Sequence, residues 1–474
     1  MPDLTPAAAE IFLVTAICVV LIVDAFLQQE HRIVTFRLAM LSLIGTAACS
    51  AYFGVDEVTT TLNGAFVADP AGNVLKLFSY LVVAIVFLYS RDYLLRAGLF
   101  KGEFFVLGLF GLLGVMVMIS AHSLLILYLG LELLSLSLYA LVAFDRESGV
   151  AAEAAMKYFV LGAIASGTLL YGISVVYGVT GTVDIGEIAE YFSSSEGLNL
   201  PALLALAFVI VGIAFKFGAV PFHMWLPDVY QGARTPVTLF IGTAPKLAAF
   251  ALAWRFLVEG LGDLHGSWQD MIIVLSVLSL AVGNVVAIAQ TNLKRMLAYS
   301  TISHVGFILM GFAAGTEDGI QAAMFYTLTY VLMAAAAFGI IIVLSRKGFE
   351  AENLEDFKGL NARSPWFALM MLMVMFSMAG VPPFVGFYAK LVVLGSVLDA
   401  GLAWLAVFGV LFAAVGAFYY IRVVWYMYFT EPEDAPALEV ARDMRFVIGA
   451  NALGLLALGL FPGFLLDLCS RVLS

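Results

Sequence analysis

The chain has 474 residues, of which 63% are hydrophobic and only 12% charged, about half the charged share of an ordinary soluble domain. So few polar residues cannot coat the several globules that this length would otherwise form, and the apolar surplus points to a polytopic membrane protein. The net charge of −11 argues against nucleic-acid binding, which needs a basic face, and the three separated cysteines, Cys18, Cys49 and Cys469, exclude a disulfide framework, a thiolate zinc site and a cysteine-ligated iron–sulfur cluster.

The first ten residues, MPDLTPAAAE, lack the basic start of a secretory signal, so the first apolar run is expected to be a retained transmembrane helix. Runs close to the ~20 residues that span a bilayer lie at 9–27, 33–54, 74–93, 104–120, 122–143, 154–178, 201–222, 236–257, 270–289, 295–313, 319–345, 365–394, 401–429 and 444–467. The division between 104–120 and 122–143 rests only on Ser120, His122 and Ser123. The predicted fold class is therefore all-α, with about fourteen transmembrane helices. With the N-terminus outside, sixteen of the 23 Lys and Arg fall in inner loops (among them Arg32, Lys101, Arg146, Arg346 and Lys347), and one, Arg471, lies outside. That asymmetry follows the positive-inside rule and puts both termini outside.

The remaining charges lie within or at the edges of spans: Lys76, Lys157, Lys216, Lys246, Arg255 and Lys390, with Asp24 and Glu132. Each charge at the bilayer centre costs at least ~2.5–3.5 kcal/mol on insertion scales, so function is expected among them. Glu132 sits mid-way along the fifth run, Lys216 inside the seventh, Lys246 mid-way along the eighth, and Lys390 in the twelfth. Burial disfavours an ammonium and a nearby carboxylate favours it; a change in the carboxylate then loads or empties the lysine, which is a proton-relay step. The alternative is a static ion pair, which explains three deep lysines beside one deep acid poorly. Lys157, close to the inner surface, either snorkels or joins the path. His304, mid-way along the tenth run, is either a hydrogen-bonded core residue or a relay. Lys76 and Arg255 read as anchors near the outer surface, and Asp24 as an interfacial acid.

Faint self-similarity recurs at a spacing near 165 residues. Ala154-Ala155-Met156-Lys157-Tyr158 returns as Ala322-Ala323-Met324-Phe325-Tyr326, and Val220-Pro221-Phe222 as Val381-Pro382-Pro383-Phe384, with Gly218 and Gly380 just before. The offset covers five spans, an odd number, so the copies enter the membrane from opposite sides as an inverted repeat. The prolines remove backbone donors, so the helix near 365–394 is expected to break around 380–383, and the seventh similarly near 218–221. Freed carbonyls at membrane depth must face protein or water. The segments expected are three N-terminal helices over 1–103, a first five-helix unit over 104–258, a second over 259–430, and a last helix over 431–474.

The run Phe215-Lys216-Phe217-Gly218-Ala219-Val220-Pro221-Phe222-His223-Met224-Trp225-Leu226-Pro227-Asp228 resembles the core motif of the antiporter-like family, which includes three large membrane subunits of respiratory complex I (NADH:quinone oxidoreductase) and subunits of multi-subunit sodium/proton antiporters. Its continuation to Thr238, Leu131-Glu132-Leu133-Leu134-Ser135, the stretch from Gln290 to Ser300, and the stretch from Gly380 to Lys390 match in order and lean toward complex I. Arg234 departs from the pattern, since the family usually has proline there. The resemblance implies an inner-membrane subunit of a bacterial complex I that translocates protons. It makes Glu132 and Lys216 an interacting pair, Lys246 the central lysine and Lys390 the residue on the outlet or inter-subunit side, with His304 and Lys157 on the polar axis between. It implies no cofactor and no metal in this chain, with NADH, FMN, iron–sulfur clusters and quinone in partner subunits. The partners implied are other complex I membrane subunits, both antiporter-like and small, together with the lipid bilayer and protons. An antiporter subunit and a non-transporting scaffold are the competing readings.

Overall fold

The computed structural model describes residues 3–194, 199–346, 348–431 and 440–473. Lys347, counted above among the inner basic residues, and residues 432–439, which adjoin the expected 430/431 boundary, lie outside the described residues.

The chain opens with α1 (Ala8–Phe26) and α2 (Ile33–Tyr52), then a short antiparallel hairpin of β1 (Thr59–Thr61) and β2 (Phe66–Ala68) in which Thr60 faces Val67. Then come α3 (Pro70–Ala97), α4 (Gly102–Ile119), α5 (Leu124–Val142), α6 (Gly149–Thr180), the short α7 (Ile185–Ser194), α8 (Leu200–Phe217), α9 (Trp225–Gly232), α10 (Thr235–Ile241) and α11 (Ala244–Ala253). The second half holds α12 (His265–Ala289), α13 (Leu293–Ala314), α14 (Glu317–Leu344), α15 (Leu360–Arg363), α16 (Pro365–Ala379), α17 (Val385–Asp399), α18 (Ala403–Phe429), α19 (Arg442–Leu460) and α20 (Gly463–Leu473). Among the described residues, thirteen helical stretches are long and apolar enough to cross a membrane. The remaining run of the expected fourteen is the one split into α16 and α17, so the all-α polytopic class holds, with the hairpin as a small addition.

Local chemistry sets the ends. Asn199, Ser148, Asn292 and Thr316 accept from backbone N–H groups in the first turns of α8, α6, α13 and α14, the usual use of short polar side chains at helix starts. The segment Ser120–Ser123 does separate α4 from α5: Ser120 O accepts from Val67 N of β2 (2.9 Å) and His122 O from Ile185 N of α7 (3.0 Å). The centre of the bundle is α10–α11, α13 and α14, buried almost throughout, whereas α1, α2, α6, α18 and α19 leave most of their surface outward.

Two interruptions are built alike. α8 ends at Gly218 (φ 77°) and α16 at Gly380 (φ 86°). This left-handed conformation suits glycine because it has no Cβ. In both, the next amide reaches back five residues, Ala219 N to Ala214 O at 2.8 Å and Val381 N to Phe376 O at 2.9 Å. A proline-containing link follows, and the helix resumes as α9 or α17. The first break thus begins at Gly218, at the start of the expected 218–221 stretch, so the apolar run to 222 is not one continuous helix. A third interruption, between α10 and α11 at Thr243, has no expected counterpart: Pro245 follows it, and the Thr243 hydroxyl bonds the Leu239 carbonyl at 2.7 Å.

Three in-span charges differ from expectation. Lys76 is a buried partner of Glu10 on α1 (Nζ–Oε1 2.6 Å) rather than a surface anchor. Arg255 is likewise buried, bonded to Asp69, to Glu259 (2.6 Å) and to the Ile119 carbonyl (3.0 Å). Asp24 is buried and accepts from the Thr35 hydroxyl at 2.5 Å. The cause is common: an acid, hydroxyl or carbonyl on another helix meets the charge, so it need not reach water.

Candidate functional site: lysines at the ends of broken helices

The carbonyls freed by the two breaks define the site. The last residues of a helix have no internal partner for their C=O groups. At the end of α8, Phe217 O accepts from Lys246 Nζ of α11 at 2.7 Å. At the end of α16, Met378 O and Ala379 O accept from Lys390 Nζ of α17 at 3.0 and 2.8 Å. Both lysines are buried. Each ammonium therefore meets the negative end of a half-helix dipole, an environment that stabilises a cation without a carboxylate. That arrangement answers why deep lysines outnumber deep acids. Towards the basic-loop side, Arg422 likewise donates to Ile288 O in the last turn of α12 and to Gln290 O just beyond it (both 2.7 Å), and Lys294 donates to Ala233 O beyond α9 (2.7 Å) while also facing Glu352 at 3.6 Å.

Lys216 lies in the last turn of α8 and donates to Ser135 Oγ of α5 at 3.1 Å. Glu132 stands one turn away on α5 and accepts from Ser166 of α6, whose Oγ is 3.0 Å from Tyr128 Oη. Glu132 and Lys216 thus address the same helix, yet they form no ion pair within 4 Å among the described residues. Ser135 holds the lysine and Ser166 the acid. Glu132 is half-buried at the bundle surface.

His304 of α13 is buried, with Nδ1 2.7 Å from Tyr326 Oη and Nε2 3.0 Å from Tyr420 Oη. Tyr420 also meets Ser300, Tyr330 donates to Thr301 (2.7 Å), and Asn284 links Tyr419 (3.0 Å) to Ser303 (2.8 Å). Lys390 Nζ is 5.4 Å from the Phe307 ring, which stacks on Tyr326. The histidine accordingly belongs to a tyrosine-rich strip beside Lys390. Sequence reading missed Tyr326, Tyr330, Tyr420 and Asn284. Tyr326 had a signal, since it falls in the repeated stretch that ends at Tyr158.

Lys157 stands apart from this row. It is half-exposed and paired with Glu153 and Asp228 (2.9 Å each), while Asp228 also binds Arg295 at 2.7 Å. Part-burial would raise the Asp228 carboxyl, but the bonds from Lys157 and Arg295 hold it below its ordinary value. Arg234 pairs with Asp145 (2.6 Å) and Glu350 (3.2 Å), joining the α5–α6 and α14–α15 connections. Among the described residues, no group of three or more His, Cys, Asp or Glu is arranged to hold a metal ion.

A polytopic helical bundle with two broken helices and buried lysines at the breaks defines the antiporter-like class of membrane protein. The chain belongs to the NADH:quinone oxidoreductase/Mrp antiporter transmembrane family, whose family model matches residues 121–416. It is similar to the NADH-quinone oxidoreductase subunit N of Thioalkalivibrio sulfidiphilus, at 60% identity over 100% of this chain and 99% of that one. Among solved structures it resembles a chain of respiratory complex I from Thermus thermophilus with bound aureothin (TM-score 0.83, 32% identity, 97% of this chain and 98% of that one). A chain of the Mrp complex from Dietzia sp. DQ12-45-1b shares the fold (TM-score 0.86, 22% identity, 99% and 97%).

Proposed function

We propose that the chain is the proton-translocating subunit N of a bacterial complex I, an NADH:quinone oxidoreductase, in the inner membrane with both termini periplasmic. In this reading residues 104–258 and 259–430 are the two inverted units. NADH, FMN, iron–sulfur clusters and quinone sit in partner subunits, and the chain carries no redox step of its own. The observation that carries the reading is the pairing of each break with a buried lysine.

The chemistry follows from the geometry. Quinone reduction elsewhere shifts charge at Glu132, whose half-exposed position at membrane depth calls for a neighbouring protein surface. A change there alters the balance at Lys216 through the shared α5 face. Lys216 and Lys246 are held on the last turn and the last carbonyl of the same half-helix, so a proton gained by one disfavours the charged form of the other. Release from Lys246 and uptake at Lys390 proceed through transient water. The tyrosine strip around His304 supplies hydroxyls that donate and accept along that route. Driving one charge against 100 mV needs ~2.3 kcal/mol, so the switch must be coupled to a downhill reaction.

The test is NADH-driven acidification of inverted membrane vesicles containing the whole complex. Lys216→Ala and Lys246→Ala are expected to assemble and to lose on the order of tenfold or more of the pumping. Unchanged pumping by assembled variants identifies a scaffold. Sodium-dependent exchange without NADH oxidation identifies an antiporter subunit.

A further inference from the structure

A cavity of about 510 Å³ opens between α1, α4 and α5 on the side of the basic loops. Its wall is apolar, with Leu21, Val106, Phe110 and Ala140, and its mouth carries Lys101 and Arg146. From Lys101 to Phe110 the first turns of α4 rise about 1.5 Å per residue, some 13 Å. Half of a ~30 Å hydrocarbon core is close to that depth. Cations at the interface above an apolar slot one leaflet deep follow the order of groups along a phospholipid.

Among the described residues, neither cation at the mouth forms an ion pair. Asp24 and Glu103 also line the cavity, but both are committed. Asp24 accepts from Thr35, and its carboxyl lies against the start of α4, where a Cβ on Gly102 would overlap it. Glu103 faces Arg32 at 3.3 Å, and the neighbouring Asp145 is taken by Arg234. Among the described residues no acid pairs with Lys101 or Arg146. A free phosphate has no use for the apolar slot. A partner's transmembrane helix would have to bring its own acid to the interface to meet these two cations.

We propose that this slot binds one anionic phospholipid of the basic-loop leaflet, with an acyl chain running from Ala140 near the mouth down to Phe110 and the phosphodiester between Lys101 and Arg146. The site is independent of the lysine row and does not depend on what the row transports.

The test uses the assembled membrane complex, solubilised, delipidated and titrated with phosphatidylglycerol, with phosphatidylcholine of the same chains, or with inorganic phosphate, bound lipid being counted by mass spectrometry. Phosphatidylglycerol is expected to bind on the order of tenfold or more tightly than phosphatidylcholine, from two basic side chains at the surface. Lys101→Gln/Arg146→Gln should erase the preference, and Ala140→Phe should block the slot. The single variants, each keeping one cation, should lose a few-fold and carry the test if the double variant does not fold. Equal binding of the two lipids, an unaffected double variant, or displacement by inorganic phosphate overturns the proposal. So does cross-linking of Ala140→Cys to another subunit in the intact complex, which would put a protein helix in the slot.

Discussion

The in-span charges are satisfied by two different kinds of partner, and the difference is testable residue by residue. Lys76 depends on Glu10 across a 2.6 Å buried pair. Removing one member of such a pair strands the other, a loss of about 3–5 kcal/mol. Lys76→Met is therefore expected to lower the thermal unfolding temperature of the purified protein sharply, and Glu10→Leu/Lys76→Met to recover most of the loss. A double variant as unstable as the single would show that the pair's charge is not the issue. Asp228 gives a pH signature. Its folded carboxyl sits below the ordinary value, so the stability it contributes is present above the ordinary carboxylate range, near ~3.9, and is lost as pH falls through the lower folded value. Asp228→Asn should be less stable than the parent at pH 7, with the gap closing below about pH 4. A constant gap would mean that Lys157 and Arg295 do not favour the ionised form.

Breaks and links govern the element scale. Gly380 needs its left-handed backbone, and a Cβ there would also lie 2.9 Å from Lys390 Cδ. Gly380→Ala is expected to cost about 1–3 kcal/mol and to disturb the lysine, whereas Gly395→Ala, in the same helix pair with open space at its Cβ, should be neutral or gain up to ~1 kcal/mol. Thermal unfolding of both variants checks this; equal effects would separate the break from stability. The two breaks were legible because glycine and proline announce a stop in an otherwise apolar run. Their consequence was not, since a backbone carbonyl has no letter in a sequence. The third interruption, at Thr243, is marked only by Gly242 before it and Pro245 after it, and a proline also starts ordinary helices.

For the whole molecule, apolar length was enough to place the membrane-spanning helices, because the bilayer leaves a chain few choices. Pairings between distant helices were hidden: Glu10 with Lys76, Asp69 with Arg255, and His304 with Tyr326 and Tyr420 are set by packing alone. The same limit applies to Lys157 and Lys216: the sequence separated a lysine close to the inner surface from a deep one, but did not show that the first reaches Glu153 and Asp228 and the second a buried serine. The orientation has a direct check. In a cysteine-free background, a membrane-impermeant maleimide applied from the periplasmic side should label Ser193→Cys, exposed on α7, and not Glu147→Cys, exposed between α5 and α6. Labelling of both from one side would contradict the alternation of spans.

The central claim is that the lysines at the helix breaks carry protons and do more than cap carbonyls. Arginine separates the two roles, since it keeps the cation and the donors yet does not release its proton. The measurement is NADH-driven proton pumping, alongside NADH oxidation, by complexes carrying Lys246→Arg or Lys390→Arg and shown to be assembled. The account predicts intact assembly with pumping lost by on the order of tenfold or more. Full pumping by either arginine variant would contradict it at that position.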